Sequence, residues 1–144
     1  MTLLKSFEEL DYSQALESST EAQKWLEKHG RRFGQFIDGK FNHRKNAKLI
    51  ASLNPSNGEL LAHIEVASAS QLDAAVTAAR KAQPKWQAIG GHGRAKVLYA
   101  LARLLQKHTR LTAVLETLDN GKPIRESRDI DVPLAIRQDR KSVV

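Results

Sequence analysis

The stretch from Glu116 to Pro133 (ETLDNGKPIRESRDIDVP) constrains the fold of this chain more than any other. Apolar residues at helical spacing precede it, and Gly121 is the residue type that most readily adopts the left-handed conformation after a helix. We therefore expect a helix to end at Asp119 or Asn120. Pro123 has no backbone N–H, but the N–H groups in the first turn of a helix have no partner within the helix. A second helix should therefore begin at Pro123.

Two β-hairpins are predicted in the first half of the chain. The first turns at Asp38 and Gly39, a pair that tolerates the positive φ angles of a tight turn. The second turns through residues 54–58, where proline, asparagine and glycine are concentrated. The expected strands are residues 35–37 with 40–42, and residues 49–53 with 60–66. Alternation on the last strand places Leu60, Ala62, Ile64 and Val66 on one face.

Helical periodicity is found before and after these hairpins. An amphipathic helix is expected within residues 11–29 and should end at Gly30. After Val66 the period of the apolar residues changes from two to about 3.6. A capping box of Ser68 and Gln71 should begin a helix over about 69–83 that ends before Pro84. Residues 94–118 should be helical with a break near His108 or Thr109, and Pro133 should kink or restart the last helix. The fold class is therefore α/β, with a β-hairpin arm followed by a helical layer.

Composition excludes several kinds of site. The sequence contains no cysteine, which rules out disulfides, zinc–thiolate centres and a thiol nucleophile in these residues. The five histidines include no i, i+4 pair on a helix, and Asp129 and Asp131 are too close in sequence to share a helix face. The glycines at 90, 91 and 93 follow no strand, so they do not form a dinucleotide-binding loop.

The net charge of +7 raises the alternative of a basic nucleic-acid binder. Basic residues are scattered among acidic ones, and a solvated surface explains the densest basic patch better than a nucleic-acid interface does. That patch is Arg31, Arg32, Lys40, Arg44, Lys45 and Lys48. A second alternative is a helical interaction or adaptor module, because the long apolar arcs have no evident partner. No apolar run approaches the ~20 residues of a membrane span. Glu8 and Glu9 lie where the core of a signal peptide would be apolar. We therefore expect a cytoplasmic protein that binds no membrane.

Five segments, in this order along the chain, resemble successive segments of the NAD(P)-dependent aldehyde dehydrogenases. They are FIDGKF (36–41), NPSNGELLAHI (54–64), DAAVTAARKAQPKW (73–86), RAKVLYALARLLQ (94–106) and LETLDNGKP (115–123), the last followed by Asp131 and Val132. The resemblance covers roughly residues 33–136. It implies the N-terminal part of an aldehyde dehydrogenase-like, Rossmann-type α/β fold.

The resemblance also implies an activity, the oxidation of an aldehyde to a carboxylic acid with NAD or NADP as hydride acceptor. In that family a cysteine thiolate, a glutamate, an asparagine and the cofactor-binding loops all follow the NGKP helix. No residue of this chain matches a catalytic or cofactor-binding role. The resemblance therefore implies an inactive N-terminal fragment that binds no cofactor, from a homo-oligomeric enzyme.

A structural monovalent cation is a further implication of the resemblance. Family members often hold such an ion with the aspartate before the NGKP turn and with carbonyl groups just before the NP turn. By that match the ligands would be Asp119 and the backbone carbonyls of Ser52 and Leu53. Hard cations prefer such oxygen ligands.

The chain is expected to divide into three parts. Residues 1–32 would form an N-terminal extension with an amphipathic helix, and residues 33–137 the truncated aldehyde dehydrogenase portion. Residues 138–144 are expected to be a non-native tail, because the resemblance stops near Arg137 and Asp139–Val144 is what the sequencing-adapter-like codons GAT CGG AAG AGC GTC GTG encode.

Overall fold

The computed structural model describes the backbone of residues 18–141 and the side chains of residues 18–138. The first helix is followed by five strands and then by a helical layer. In chain order the elements are α1 (Thr20–Lys28), β1 (Arg32–Phe33), β2 (Gln35–Ile37), β3 (Lys40–Asn42), β4 (Leu49–Leu53), β5 (Leu60–Glu65), α2 (Ala69–Ala88), α3 (Gly90–Lys107), α4 (Thr109–Asn120), α5 (Ile124–Glu126), a π-helical turn (Ser127–Asp131) and α6 (Val132–Lys141).

Both predicted hairpins are present. Strand β5 lies at the centre of a three-stranded sheet, antiparallel to β4 and parallel to β1. Strands β2 and β3 form a separate two-stranded ribbon in which Phe36 is paired with Phe41. The ribbon turns at Asp38 and Gly39, whose φ angles of 51° and 77° are the positive values expected for this turn.

The prediction that Leu60, Ala62 and Ile64 share one face of strand β5 is wrong for Leu60. Ser52 is paired with Ala62, whereas Leu53 is paired with Leu60, so β5 contains one extra residue, Leu61. A bulge of this kind reverses the alternation of side chains, and it places Leu60 on the opposite face from Ala62 and Ile64. Val66, the fourth expected member of that face, lies beyond the end of the strand.

The helix boundaries agree with the sequence at most ends. Gly30, with φ of 64°, follows α1, while the part of the predicted first helix before residue 18 lies outside the described residues. The capping box of Ser68 and Gln71 is formed. His108 separates α3 from α4, and α4 ends at Asn120 with Gly121 in the left-handed conformation.

The predicted end of α2 before Pro84 is wrong. The helix continues through Pro84 to Ala88, and the backbone leaves the right-handed conformation only at Gly90, where φ is 69°. Proline removes a single helical hydrogen bond, and the carbonyl of Arg80 that loses its partner lies on an exposed part of the helix where water can solvate it. Gly91 and Gly93 belong to the first turn of α3 rather than to a loop before it.

The two later prolines lie near helix starts. Pro123 precedes α5 as its N-cap residue rather than as its first helical residue. At Pro133 the helix neither stops nor restarts: the π-helical turn ends at Asp131 and passes directly into α6 at Val132, whose φ and ψ of −64° and −45° are helical, so the expected disruption is limited to the π-helical turn before the proline.

Helix α4 separates two small apolar cores. The first core joins α3, α4 and α6, and its buried members are Ala102, Ala113, Val132 and Ile136. The second core joins α1 to the sheet and is partly covered by Leu115 and Leu118 of α4; its buried members are Leu26, Leu61 and Ala62. Helix α2 contains no buried residue. The C-terminal end of α4 therefore meets the β4–β5 hairpin, which is where the sequence predicts a cation site.

Candidate functional site

The turn after β4 packs directly against the turn after α4. A Cβ atom added to Gly121 would lie 2.9 Å from Cγ of Pro55, closer than real Cβ contacts occur. The β4–β5 turn is held by Asn54, a buried residue whose side-chain oxygen accepts hydrogen bonds from the backbone N–H and the hydroxyl of Ser56. The two turns, distant in sequence, form one joint.

The structure brings the predicted cation ligands Ser52, Leu53 and Asp119 to this joint. The hydroxyl of Ser52 donates a hydrogen bond of 2.5 Å to Oδ1 of Asp119, which joins the end of β4 to the end of α4. Leu53 is the next residue of β4. The carboxylate and the backbone carbonyls that the resemblance implies are hard oxygen donors, and one negative charge balances a monovalent cation. The contact between Ser52 and Asp119 is compatible with the implied cation site, which stays a prediction.

The charged residues after the joint pair with one another. Nζ of Lys122 lies 2.6 Å from Oδ2 of Asp131 and 3.7 Å from Oε1 of Glu116, and the hydrogen bond to Asp131 raises the pKa of Lys122 above its ordinary value. The hydrogen bond from Arg128 lowers the pKa of Asp129. The carboxylates of Asp129 and Asp131 thus have separate basic partners, Arg128 and Lys122 respectively.

An apolar groove of about 520 Å³ lies beside the joint. It runs between the sheet, α1 and α4, with Ser52 and Asp119 among its lining residues. Its walls are mainly apolar or aromatic side chains, among them Trp25, Phe33 and Leu118. Such a surface can pack against apolar groups.

A second polar cluster, around Glu65 at the end of β5, is absent from the sequence predictions. The Glu65 side chain is only 1% exposed, and it accepts hydrogen bonds from Nε of Arg32 at 2.7 Å and from the backbone N–H of Arg44 at 2.9 Å. Nδ1 of His43 lies 3.0 Å from the same carboxylate. The bond from Arg44, together with those from His43 and Arg32, lowers the pKa of Glu65 to about 2. The signal in the sequence was a lone acidic residue ending an apolar strand, which does not specify its partners.

Among the described residues, no three histidine, cysteine, aspartate or glutamate side chains form a group that could hold a metal ion. No helix in the described part is both long and apolar enough to cross a membrane. Gly90, Gly91 and Gly93 lie in the first turn of α3, which follows helix α2 and not a strand.

The fold and the joint define an α/β protein with a hairpin-containing sheet and a helical layer. The family model described as "Aldehyde dehydrogenase family" matches residues 41–142, and the chain therefore belongs to the aldehyde dehydrogenase family. This assignment confirms the resemblance found in the sequence motifs.

Similar proteins cover the same region. The chain is 43% identical over 107 residues to DhaS of Bacillus subtilis (strain 168), which is named as an aldehyde dehydrogenase; the match covers 73% of this chain and 22% of DhaS. It is 41% identical over 103 residues to an aminoacetaldehyde dehydrogenase of Pseudomonas aeruginosa, covering 70% of this chain and 21% of that protein. The solved NAD⁺ complex of an aldehyde dehydrogenase from Bacillus cereus matches with a TM-score of 0.76 at 32% identity, covering 90% of this chain and 26% of that one. The chain thus spans about a fifth of the length of the curated relatives it matches.

Proposed function

We propose that this chain is the N-terminal part of an NAD(P)-dependent aldehyde dehydrogenase that oxidises an aldehyde to a carboxylic acid. The observation that supports the proposal is the agreement in fold with the Bacillus cereus enzyme over 90% of this chain but only 26% of that protein. The chain has no cysteine that could attack the aldehyde. In this proposal the chemistry belongs to the rest of the protein, and residues 18–141 supply a scaffold.

NAD or NADP would accept the hydride in the long protein. The described residues do not form a site for the pyrophosphate of such a cofactor. A dinucleotide pyrophosphate is held by backbone N–H groups where a glycine-rich turn links a strand to a helix. Gly90 and Gly91 lie in a helix-to-helix junction instead. We therefore expect the isolated chain to bind neither NAD nor NADP.

The test compares this chain with the protein encoded by the full reading frame of its source gene. Cofactor reduction is followed at 340 nm with a panel of aldehydes and with NAD or NADP. The long protein should reduce cofactor, whereas the present chain should not exceed a mock preparation. The proposal would be rejected if the long protein were inactive with the whole panel, or if the present chain showed saturable cofactor binding by calorimetry.

We further propose that Asp119 and the backbone carbonyls of Ser52 and Leu53 hold a structural monovalent cation. The proposal is supported by the Ser52–Asp119 hydrogen bond, which collects hard oxygen donors from two distant elements. In Na⁺ or K⁺ the chain should unfold at a higher temperature than in choline of equal ionic strength. Asp119→Asn should abolish the difference, and Glu116→Gln, an acidic control one turn earlier in α4, should keep it. An equal response of both variants to the cation would contradict this site.

Three further expectations stay predictions. These are the cytoplasmic location, the homo-oligomeric state of the long protein, and the absence of nucleic-acid binding. Against a nucleic-acid interface, Arg31 donates to the carbonyl of Leu61 and to Gln23, and Arg32 contacts Glu65 and the carbonyl of Arg44. Two arginines of the basic patch are therefore already engaged within the protein.

A further inference from the structure

A second groove, of about 550 Å³, lies between α1 and α4 on a different part of α4 from the cation site. Four apolar side chains line it: Ala22 and Trp25 of α1, and Leu111 and Val114 of α4. Ala22 and Val114 are buried, whereas Trp25 and Leu111 are half-buried. The apolar lining of the groove is thus accessible from outside.

Basic side chains predominate among the charged residues of this groove. Lys24 and Lys28 come from α1, and Lys107 and Arg110 come from the junction of α3 and α4, where His108 also lines the groove. The one carboxylate among the lining residues is Glu21, which lies 3.0 Å from Lys24. The groove therefore favours an occupant with apolar side chains and an excess of negative charge.

The chain itself enters the described structure at this groove. Ser18 is one of the lining residues. Its hydroxyl accepts a hydrogen bond of 3.2 Å from the backbone N–H of Thr20, the first residue of α1. The 17 residues that precede Ser18 are thus tethered at the groove, and a tethered segment has a high effective concentration for a site within its reach.

The sequence of residues 1–17 has the complementary chemistry. Apolar residues recur at helical spacing, as Leu3, Leu4, Phe7 and Leu10. The segment carries four carboxylates against the single basic side chain of Lys5; they are Glu8, Glu9, Asp11 and Glu17. This acidic bias contrasts with the net charge of +7 of the whole chain.

We propose that the acidic N-terminal segment, residues 3–11, binds within the same chain to the groove between α1 and α4. The apolar residues of the segment contact the apolar lining, and its carboxylates face Lys28, Lys107 and Arg110. The proposal depends on the tether at Ser18, the basic groove and the acidic amphipathic sequence. It does not depend on the enzymatic activity proposed above.

Disulfide trapping tests this contact, since the chain has no cysteine of its own. His108→Cys is combined in turn with Leu4→Cys, Phe7→Cys or Leu10→Cys, and each pair is oxidised in dilute solution. Gln83→Cys on the exposed side of α2 replaces His108→Cys in the matched control. Ser52→Cys with Asp119→Cys is the positive control, because the native side chains of Ser52 and Asp119 are hydrogen-bonded. This pair gives the rate of disulfide formation at an existing contact between α4 and the sheet.

At least one of the three groove pairs should form an intrachain disulfide at least about tenfold faster than its Gln83→Cys control. The proposal is overturned if all three close at the control rate while the Ser52–Asp119 pair closes rapidly. It is equally overturned if the disulfides join two chains, because the occupant would then come from a second copy.

Charge reversal provides an independent test of the contact. It is applied to the groove pair that forms its disulfide fastest. Lys107→Glu with Arg110→Glu should slow trapping at least about fivefold, and Glu8→Lys with Glu9→Lys in the same chain should restore it. Lys96→Glu in α3, which does not line the groove, is the control and should leave the rate unchanged. Equal effects of the groove and control variants would exclude the electrostatic match.

Discussion

At the scale of single residues, two features of the structure favour glycine at position 121: the positive φ angle and the close approach of Pro55. Their energetic effects can be measured separately. The φ of 77° at Gly121 disfavours any side chain, and a Cβ there would also approach Pro55. Gly39 has the same φ, but nothing lies within 4 Å of its Cβ position. Gly121→Ala should therefore lower the free energy of unfolding more than Gly39→Ala, whose conformational cost is ~1 kcal/mol.

Denaturant titration of the single and double variants measures the steric part. Pro55→Ala should recover part of the loss caused by Gly121→Ala, because it removes the Cγ atom that the new Cβ meets. Equal losses for the two glycine variants, with no recovery by Pro55→Ala, would mean that the contact between the turns has no energetic consequence.

Glu65 gives a pH dependence whose sign follows from its partners. The ordinary pKa of 4.5 falls to about 2 in the folded chain, so the ionised carboxylate stabilises the fold above about pH 4.5. That stabilisation should be lost as the pH falls from 4.5 towards 2. Glu65→Gln should lower the melting temperature by roughly 5 °C or more at pH 7, because Arg32 loses a buried charged partner.

Thermal unfolding between pH 2 and pH 7 checks this prediction. Glu59→Gln replaces an exposed carboxylate of the same hairpin and serves as the control. The difference between the Glu65 and Glu59 variants should shrink towards pH 2, and a difference independent of pH would argue against an ionised Glu65.

At the scale of elements, α2 is a helix that retains a proline in its interior. Pro84 removes one hydrogen bond from an exposed helix of 20 residues. Pro84→Ala should increase helical circular dichroism and raise the free energy of unfolding, by up to ~3 kcal/mol on host–guest scales. Gln83→Ala is the control at the adjacent exposed position, where little change is expected. A destabilised Pro84→Ala chain would show that α2 needs the proline.

At the scale of the whole molecule, the helical layer leaves large apolar side chains uncovered. Ala102 and Leu105 of α3 pack into the core with α6, but Leu101 and Leu104 on the same helix are 46% and 56% exposed. Leu72 of α2 is 62% exposed. Exposed apolar side chains of this size favour association or packing against further protein.

Apolar-dye binding and sedimentation test this expectation on the present chain. The chain should bind the dye and associate as its concentration rises. Leu101→Gln with Leu104→Gln should reduce both effects, and Lys96→Gln, an exposed polar change on the same helix, should not. We expect the additional residues of the long protein to cover these side chains, so the long protein should bind little dye. Strong dye binding by the long protein would contradict that covering.

Local chemistry explains which features the sequence alone determined. The Asp38–Gly39 turn, the capping box of Ser68 and Gln71, and the end of α4 at Gly121 each depend on residues a few positions apart. The family motifs also depend on order and spacing along the chain. Such signals can be read without knowing what packs against them.

The tertiary structure alone decided the features that depend on distant partners. The extra residue at Leu61 follows from the pairing of β5 with β4, and the end of α2 at Ala88 rather than before Pro84 depends on how exposed that helix is. The three partners of Glu65 come from two other parts of the chain. The resemblance to the aldehyde dehydrogenases implied Ser52, Leu53 and Asp119 as cation ligands, but only the packing of α4 on the hairpin brought Ser52 and Asp119 into hydrogen-bond contact across 67 positions of sequence.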